Sequence, residues 1–174
     1  MRIVAVVGSA PCALADLRGL LGMHPDTSVC VLNRGINLPL HFDYFLTGHQ
    51  EFFAKDVAVK RASGEVFHAI GAEKHEGYDD HFRPHSKQAW GGSAANAICY
   101  FASRGFRVVL CGCPFDISGH FNDESATYHA GELWDWFLRG HSHRAGHNVN
   151  VRSMSGNTRE LFGAPTKEWV NEPC

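Results

Sequence analysis

Asp116 and His120 lie four residues apart, just past the strongest strand-like run of the chain, Arg107–Cys111. A carboxylate and an imidazole at that spacing suit proton transfer. His120 is placed to deprotonate an acceptor hydroxyl, and Asp116 to orient it or to hold a divalent metal ion as cofactor. Asp116-Ile117-Ser118-Gly119 is equally an ordinary turn sequence, and a loop histidine normally faces solvent, so both readings stand. Two glycine turns offer a different chemistry. Gly8-Ser9-Ala10-Pro11 follows an apolar run and opens a helix, and Gly91-Gly92-Ser93 opens another. Backbone N–H groups at a helix start attract phosphate, although neither turn is a Walker loop or a dinucleotide fingerprint, and a plain strand-to-helix turn needs the same residues. Asn33 and Arg34 close a further apolar run, where an amide can read a base or sugar edge and a guanidinium can pair with phosphate. Between Arg152 and Arg159, two arginines and several hydroxyls around a helix start make a third candidate anion site beside the plainer reading of a capped helix.

The chain holds 12 histidines. His141, His143 and His147 in one loop, and His75, His81 and His85 with Asp79 and Asp80 in another, are residue types that bind zinc or another transition metal. Nothing in a glycine-containing loop forces them onto one side, so solvated loops are the competing reading. Trp134, Trp136 and Phe137 lie at helical spacing and read as core rather than as a stacking platform.

These groups need elements to position them. Arg2–Gly8 reads as a buried strand, Ala13 to Leu21 as a helix that Gly22 ends, and Ser28–Leu32 as a second strand. Strand, glycine loop, helix and strand make a βαβ unit, so the two strands are expected to be parallel. Phe42–Gly48 reads as a third strand, and Phe52 to Val57 as one helical turn leading into a strand. Asp56–Lys60 and Glu65–Ile70 alternate like strands about a turn at Ala62-Ser63-Gly64, either as a hairpin or with the second in the main sheet. Residues 71–90 read as a long polar connection. Ala95, Ile98, Cys99 and Ala102 mark one helix face, Gly105 stops that helix, and Pro114 bars extension of the strand after it. A helix over Asp123–Arg139, a short strand over Asn148–Arg152, and a capping-box start at Asn157 and Glu160 complete the chain. The alternation predicts one α/β domain over residues 1–174, a three-layer Rossmann-like sandwich with a mostly parallel sheet.

Composition is that of a globular domain, 44% hydrophobic and 20% charged, and the net charge of -2 argues against broad nucleic-acid binding. Gly8-Ser9-Ala10-Pro11 breaks the first apolar run too early for a signal peptide, and no run is long enough to span a membrane, so a cytoplasmic protein is expected. The six cysteines include no Cys-x2-Cys pair and sit mostly among apolar neighbours, as free buried thiols do. A homo-oligomer stays open.

Three stretches together carry a resemblance: the strand ending in Gly8-Ser9-Ala10-Pro11, the strand ending Leu32-Asn33-Arg34-Gly35, and Gly91-Gly92-Ser93 through Gly105-Phe106-Arg107-Val108-Val109-Leu110-Cys111-Gly112. They resemble the Rossmann-like superfamily of the bacterial sialyltransferases and hydroxymethylpterin pyrophosphokinase-like proteins, and small uncharacterised proteins of phages and prophages. The resemblance implies that residues 8–11, Asn33 and residues 91–94 contact a nucleotide or nucleotide-sugar, with Asp116 near the reaction centre. The chain departs from the family pattern in lacking an asparagine between the first glycines and in placing Asp116 two residues late. The expected activity is glycosyl or phosphoryl transfer to a hydroxyl. Those departures favour the alternative, a non-catalytic phage or prophage ligand binder or host-interaction protein. A metal-dependent hydrolase built on the histidine loops is the third reading.

Overall fold

Ile3 to Val7 are apolar, largely β-branched and uninterrupted, which suits a strand covered on both faces. In a computed structural model, which describes residues 2–72, 76–82, 92–115, 135, 138 and 150–172 (residues 53 and 54 by backbone only), this run is strand β1, Arg2–Val7. It is flanked in parallel by β2 (Ser28–Leu32) and β6 (Phe106–Cys111). With β3 (Tyr44–Leu46), β4 (His68–Ala72), β5 (Asp80–Phe82) and β7 (Val151–Ser153), they form a seven-stranded sheet of order β5-β4-β3-β2-β1-β6-β7. Every pairing is parallel, so this is the expected α/β, Rossmann-like fold.

Side chains alternate between the faces of the sheet. Val4, Val6, Cys30, Leu32, Val108 and Leu110 enter one core. Ile3, Ala5, Val7, Val29, Val31 and Val109 enter the other. Helix α1 (Ala13–Met23) buries Ala13, Leu17 and Leu20 in the second core. Helix α3 (Gly92–Ala102) lays Ala94, Ala95, Ala97, Ile98 and Phe101 into the first, small side chains letting it sit close over β1 and β6. Ala95 and Ile98 face the sheet as expected, whereas Cys99 and Ala102 are only half-buried. Ile36, Val57 and Tyr78, on the connections running outward from β2 to β5, pack with α1. The return connection that carries α3 packs on the opposite core. The strand order therefore reverses between β1 and β6.

Three sequence expectations change. Asp56–Lys60 is helical, not a strand: a π turn over Phe53–Val57 runs into α2 (Ala58–Ala62). Of its alternating apolar residues Val57 is buried but Val59 is 61% exposed, so the alternation has no sheet to serve. No hairpin forms, and the second segment joins the main sheet as β4 beside β3. The polar connection 71–90 contains strand β5, missed because it is three residues long and polar at two of them. The capping box at Asn157 is absent. Helix α4 (Gly156–Phe162) has Ser155 at its N-cap, and the Asn157 amide instead donates to the Phe115 carbonyl at 2.8 Å. A last helix, α5 (Lys167–Asn171), starts on Thr166, whose hydroxyl accepts from the Trp169 N–H. The expected helix Asp123–Arg139 lies almost wholly outside the described residues.

Candidate functional site

Parallel sheets bind ligands beyond the C-terminal ends of their strands, most often where the strand order reverses. Here that is the gap between β1 and β6, and it is filled. The Gly8 N–H donates to the Cys111 carbonyl at 2.8 Å, and the Ala10 N–H to the Gly112 carbonyl at 3.3 Å. A Cβ on Gly8 would lie 2.2 Å from the Gly112 oxygen and 2.7 Å from the Cys113 sulfur, so glycine at position 8 serves the close approach of two backbones. Two of the donors that the sequence offers to a phosphate are thus committed to β6, while Ser9 between them is half-buried.

The start of α1 also carries its own anion. Asp16, in the first turn, accepts from the Gly112 N–H at 2.8 Å and from the Ser155 hydroxyl at 2.6 Å. A carboxylate is well placed in the first turn of a helix. Ser155 Oγ lies 3.5 Å from Cys12 Sγ. Burial pushes the Cys12 thiol up; the Ser155 hydrogen bond works against the rise and the Asp16 charge adds to it. Cys12 is therefore a protonated thiol at neutral pH rather than a nucleophile.

A second cluster forms on the same sheet edge, beyond β2 and β3. Asn33 holds a left-handed backbone, φ 47°, which asparagine tolerates better than most residues. Its Oδ1 accepts from Thr47 Oγ1 at 2.8 Å and from Ser93 Oγ at 3.0 Å. The ends of β2 and β3 and the start of α3 thereby meet on one amide, and the sequence-marked Asn33 and Ser93 come together. Gly92 has φ 68°, and a Cβ there would meet no described residue within 4 Å, so its glycine serves backbone conformation. The first N–H groups of α3 have no carbonyl a turn earlier in the helix to bond. Asn96, one turn in, is 4% exposed.

His49 and Glu51 extend this cluster and were not singled out in the sequence. The His49 N–H donates to Thr47 Oγ1 at 3.1 Å, and its carbonyl accepts from the Tyr78 hydroxyl at 3.3 Å. Its ring stands edge-on to Phe52, centroids 5.9 Å apart, with Nδ1 3.4 Å from Glu51 Oε1. Burial, with the Glu51 and Asp56 charges adding, pushes the Tyr78 hydroxyl up to about 12, so it stays a donor. The available signal was the place of Thr47-Gly48-His49 at the end of a strand parallel to the one ending in Asn33.

Arg34 is exposed on the 3-10 turn Asn33–Asn37. Gly91, Asp116 and His120 lie outside the described residues, as do His75, His85, His141, His143, His147, Trp134, Trp136 and Phe137. Both arginines of the third candidate anion site touch the protein. Arg152 donates to its neighbour's carbonyl at 2.7 Å and lies over the Trp169 ring, and Arg159 reaches the Met154 carbonyl at 3.4 Å. Among the described residues no group of three metal-binding side chains gathers. Cys12, Cys30, Cys99, Cys111 and Cys113 are free thiols, as expected. No described helix is long and apolar enough to cross a membrane. Comparison of the chain with family models, with curated proteins and with solved structures finds no match.

Proposed function

We propose that the chain binds a nucleotide or nucleotide-sugar at the Asn33–α3 cluster and transfers a glycosyl or phosphoryl group to a hydroxyl acceptor. The observation that carries this reading is the 3.0 Å hydrogen bond from Ser93 to Asn33, which joins two of the turns the sequence marks for such a ligand. The phosphates meet the backbone N–H groups of residues 91–94. With Oδ1 taken by two hydroxyls, the Asn33 NH2 is the group that reads the sugar or base, and Arg34 stands beside it for phosphate. Asp116 and His120 keep the roles their place after β6 suggests, orienting and deprotonating the acceptor, with a divalent ion as the alternative partner of Asp116. The resemblance to the sialyltransferase superfamily implies the same ligand contacts for Asn33 and residues 91–94 and puts Asp116 near the reaction centre, and phage-encoded proteins of that type provide a setting.

A panel of nucleotides and nucleotide-sugars tests it by thermal shift. A true ligand at a hundred times its Kd adds about 2.7 kcal/mol, which raises Tm by roughly 5–10 °C in a chain of this size. No rise with any member of the panel removes the reading. The filled gap between β1 and β6 favours a second reading, a non-catalytic binder on the same fold. Stabilisation by a ligand with no turnover of it would select that one.

A further inference from the structure

We infer that His49, held by Glu51, is the proton acceptor of this site. The inference rests on the nucleotide reading above, and it moves the role of base from His120, assigned by sequence position, to a histidine whose geometry fits the task. Exposed histidines normally rotate freely. His49 has 55% of its side chain exposed, yet its ring stands edge-on to Phe52 and its Nδ1 faces Glu51. Holding an accessible imidazole in one orientation costs conformational entropy, and these two contacts offset it, while the backbone beneath is tied to Thr47 and Tyr78. One hydroxyl, Thr47 Oγ1, links the His49 backbone to the Asn33 amide, so the residue is tied to the border of the proposed ligand site.

Glu51 facing Nδ1 fixes the tautomer. Nδ1 then carries the proton and leaves the lone pair on Nε2, the tautomer a general base needs, and Glu51 offsets the imidazolium that forms. The 3.4 Å separation is long for a hydrogen bond, as such contacts often are before substrate binds. In the step itself, the acceptor O–H gives its proton to Nε2 while the acceptor oxygen bonds to the donor phosphorus or anomeric carbon. The bond from that atom to the nucleotide oxygen breaks, the nucleotide leaves with the electron pair, and the imidazolium releases its proton to solvent. Water or an alcohol serves as acceptor, and no oxidant or reductant enters. Glu51 is a positioning residue; His49 touches the reacting hydroxyl.

The test uses the full chain with nucleoside triphosphates and nucleoside diphosphate-sugars, water as acceptor, and reads released nucleotide beside calorimetric binding. The wild type is expected to bind and release. His49→Gln is expected to keep its Kd within about twofold and lose about 100-fold or more in kcat, and Glu51→Gln to lose about tenfold in kcat with KM unchanged. A second readout needs no turnover: diethyl pyrocarbonate should modify His49 several-fold more slowly in Glu51→Gln, and a bound nucleotide should protect it. Wild-type release by His49→Gln, or binding by the wild type without release, overturns His49 as base and leaves nucleotide binding intact. No binding at all overturns the nucleotide reading and the base with it.

Discussion

Asn33 serves two ends with one side chain. Its backbone turns the chain at the end of β2 in a conformation most residues avoid, and its carbonyl oxygen gathers the Thr47 and Ser93 hydroxyls. The two roles separate by substitution. Asn33→Gly keeps the positive φ and loses both hydrogen bonds, for an expected cost of about 1–3 kcal/mol. Asn33→Ala loses the same bonds and adds roughly 1–2 kcal/mol of left-handed strain. Urea unfolding of the pair measures the difference, and equal midpoints would show that the backbone conformation carries no strain. Both variants are expected to lose nucleotide-induced stabilisation, which follows the amide rather than φ. Asn33 stood out in the sequence as an amide closing an apolar run. Ser93 stood out too, in its glycine turn, but Thr47 and the pairing itself did not, because Thr47 reaches Asn33 through the β2–β3 register and Ser93 through the crossover that returns α3 to the sheet. His49 was harder still, since a histidine in a short polar stretch acquires meaning only when Thr47, Phe52, Glu51 and Tyr78 converge on it.

At the scale of elements, β5 shows how a strand with almost no apolar signal is kept in place. It has three residues and a sheet neighbour on one side, β4. Side chains supply the hold. Asp80 accepts from the Tyr100 hydroxyl at 2.5 Å and from Arg104 at 3.1 Å, while the Arg104 guanidinium lies 3.6 Å from the Tyr100 ring centre. The preceding Asp79 accepts from the Ala69 N–H at 2.7 Å and pairs with Arg61. The Tyr100 hydrogen bond, with the His81 N–H and the Arg104 charge helping against partial burial, holds the Asp80 carboxyl below its ordinary value. A carboxyl depressed in the folded state stabilises fully above its unfolded value, about 3.9, and that contribution disappears as pH falls through the lower folded value. Asp80→Asn is therefore expected to lower Tm at neutral pH, with the gap to wild type closing below about pH 4. Calorimetric scans of both proteins across that range check it, and a gap independent of pH would mean that Asp80 acts by shape alone. The sequence could not mark β5, since its binding energy resides in contacts with α3 rather than in its own pattern. It did mark α3, β1, β2 and β6, whose apolar runs are buried on their own account, and it misread Asp56–Lys60, where a five-residue alternation was too short to distinguish strand from helix.

For the molecule as a whole, the seam between β1 and β6 is both the point where the strand order reverses and the place where the expected crevice is closed. Backbone hydrogen bonds from Gly8 and Ala10, the Asp16 carboxylate on the Gly112 N–H, and the Cys113 side chain fill it together. Three thiols report on that region. Cys30, Cys111 and Cys113 are buried, and burial raises all three, Cys113 to about 12. A thiol must ionise and meet the reagent to react, so these three should react only when the sheet comes apart. With Ellman's reagent, Cys12 and Cys99, both half-buried, are expected first, and the three core thiols later with one shared rate. Gly8→Ala tests whether the seam sets that rate. Its new Cβ would stand 2.2 Å from the Gly112 oxygen, backbone against backbone, where no side chain can swing away. An overpacking cost near 3 kcal/mol would raise the core-thiol labelling rate by roughly 100-fold where labelling follows the unfolded population. Cys30 sits on β2, Cys111 at the end of β6, and Cys113 in the turn beyond it. If Gly8→Ala accelerates Cys113 and leaves Cys30 unchanged, the β6 turn opens by itself and the gap between β1 and β6 is a gate rather than a seam. Equal acceleration of all three makes it structural, and leaves the Asn33–α3 cluster as the open part of the sheet edge.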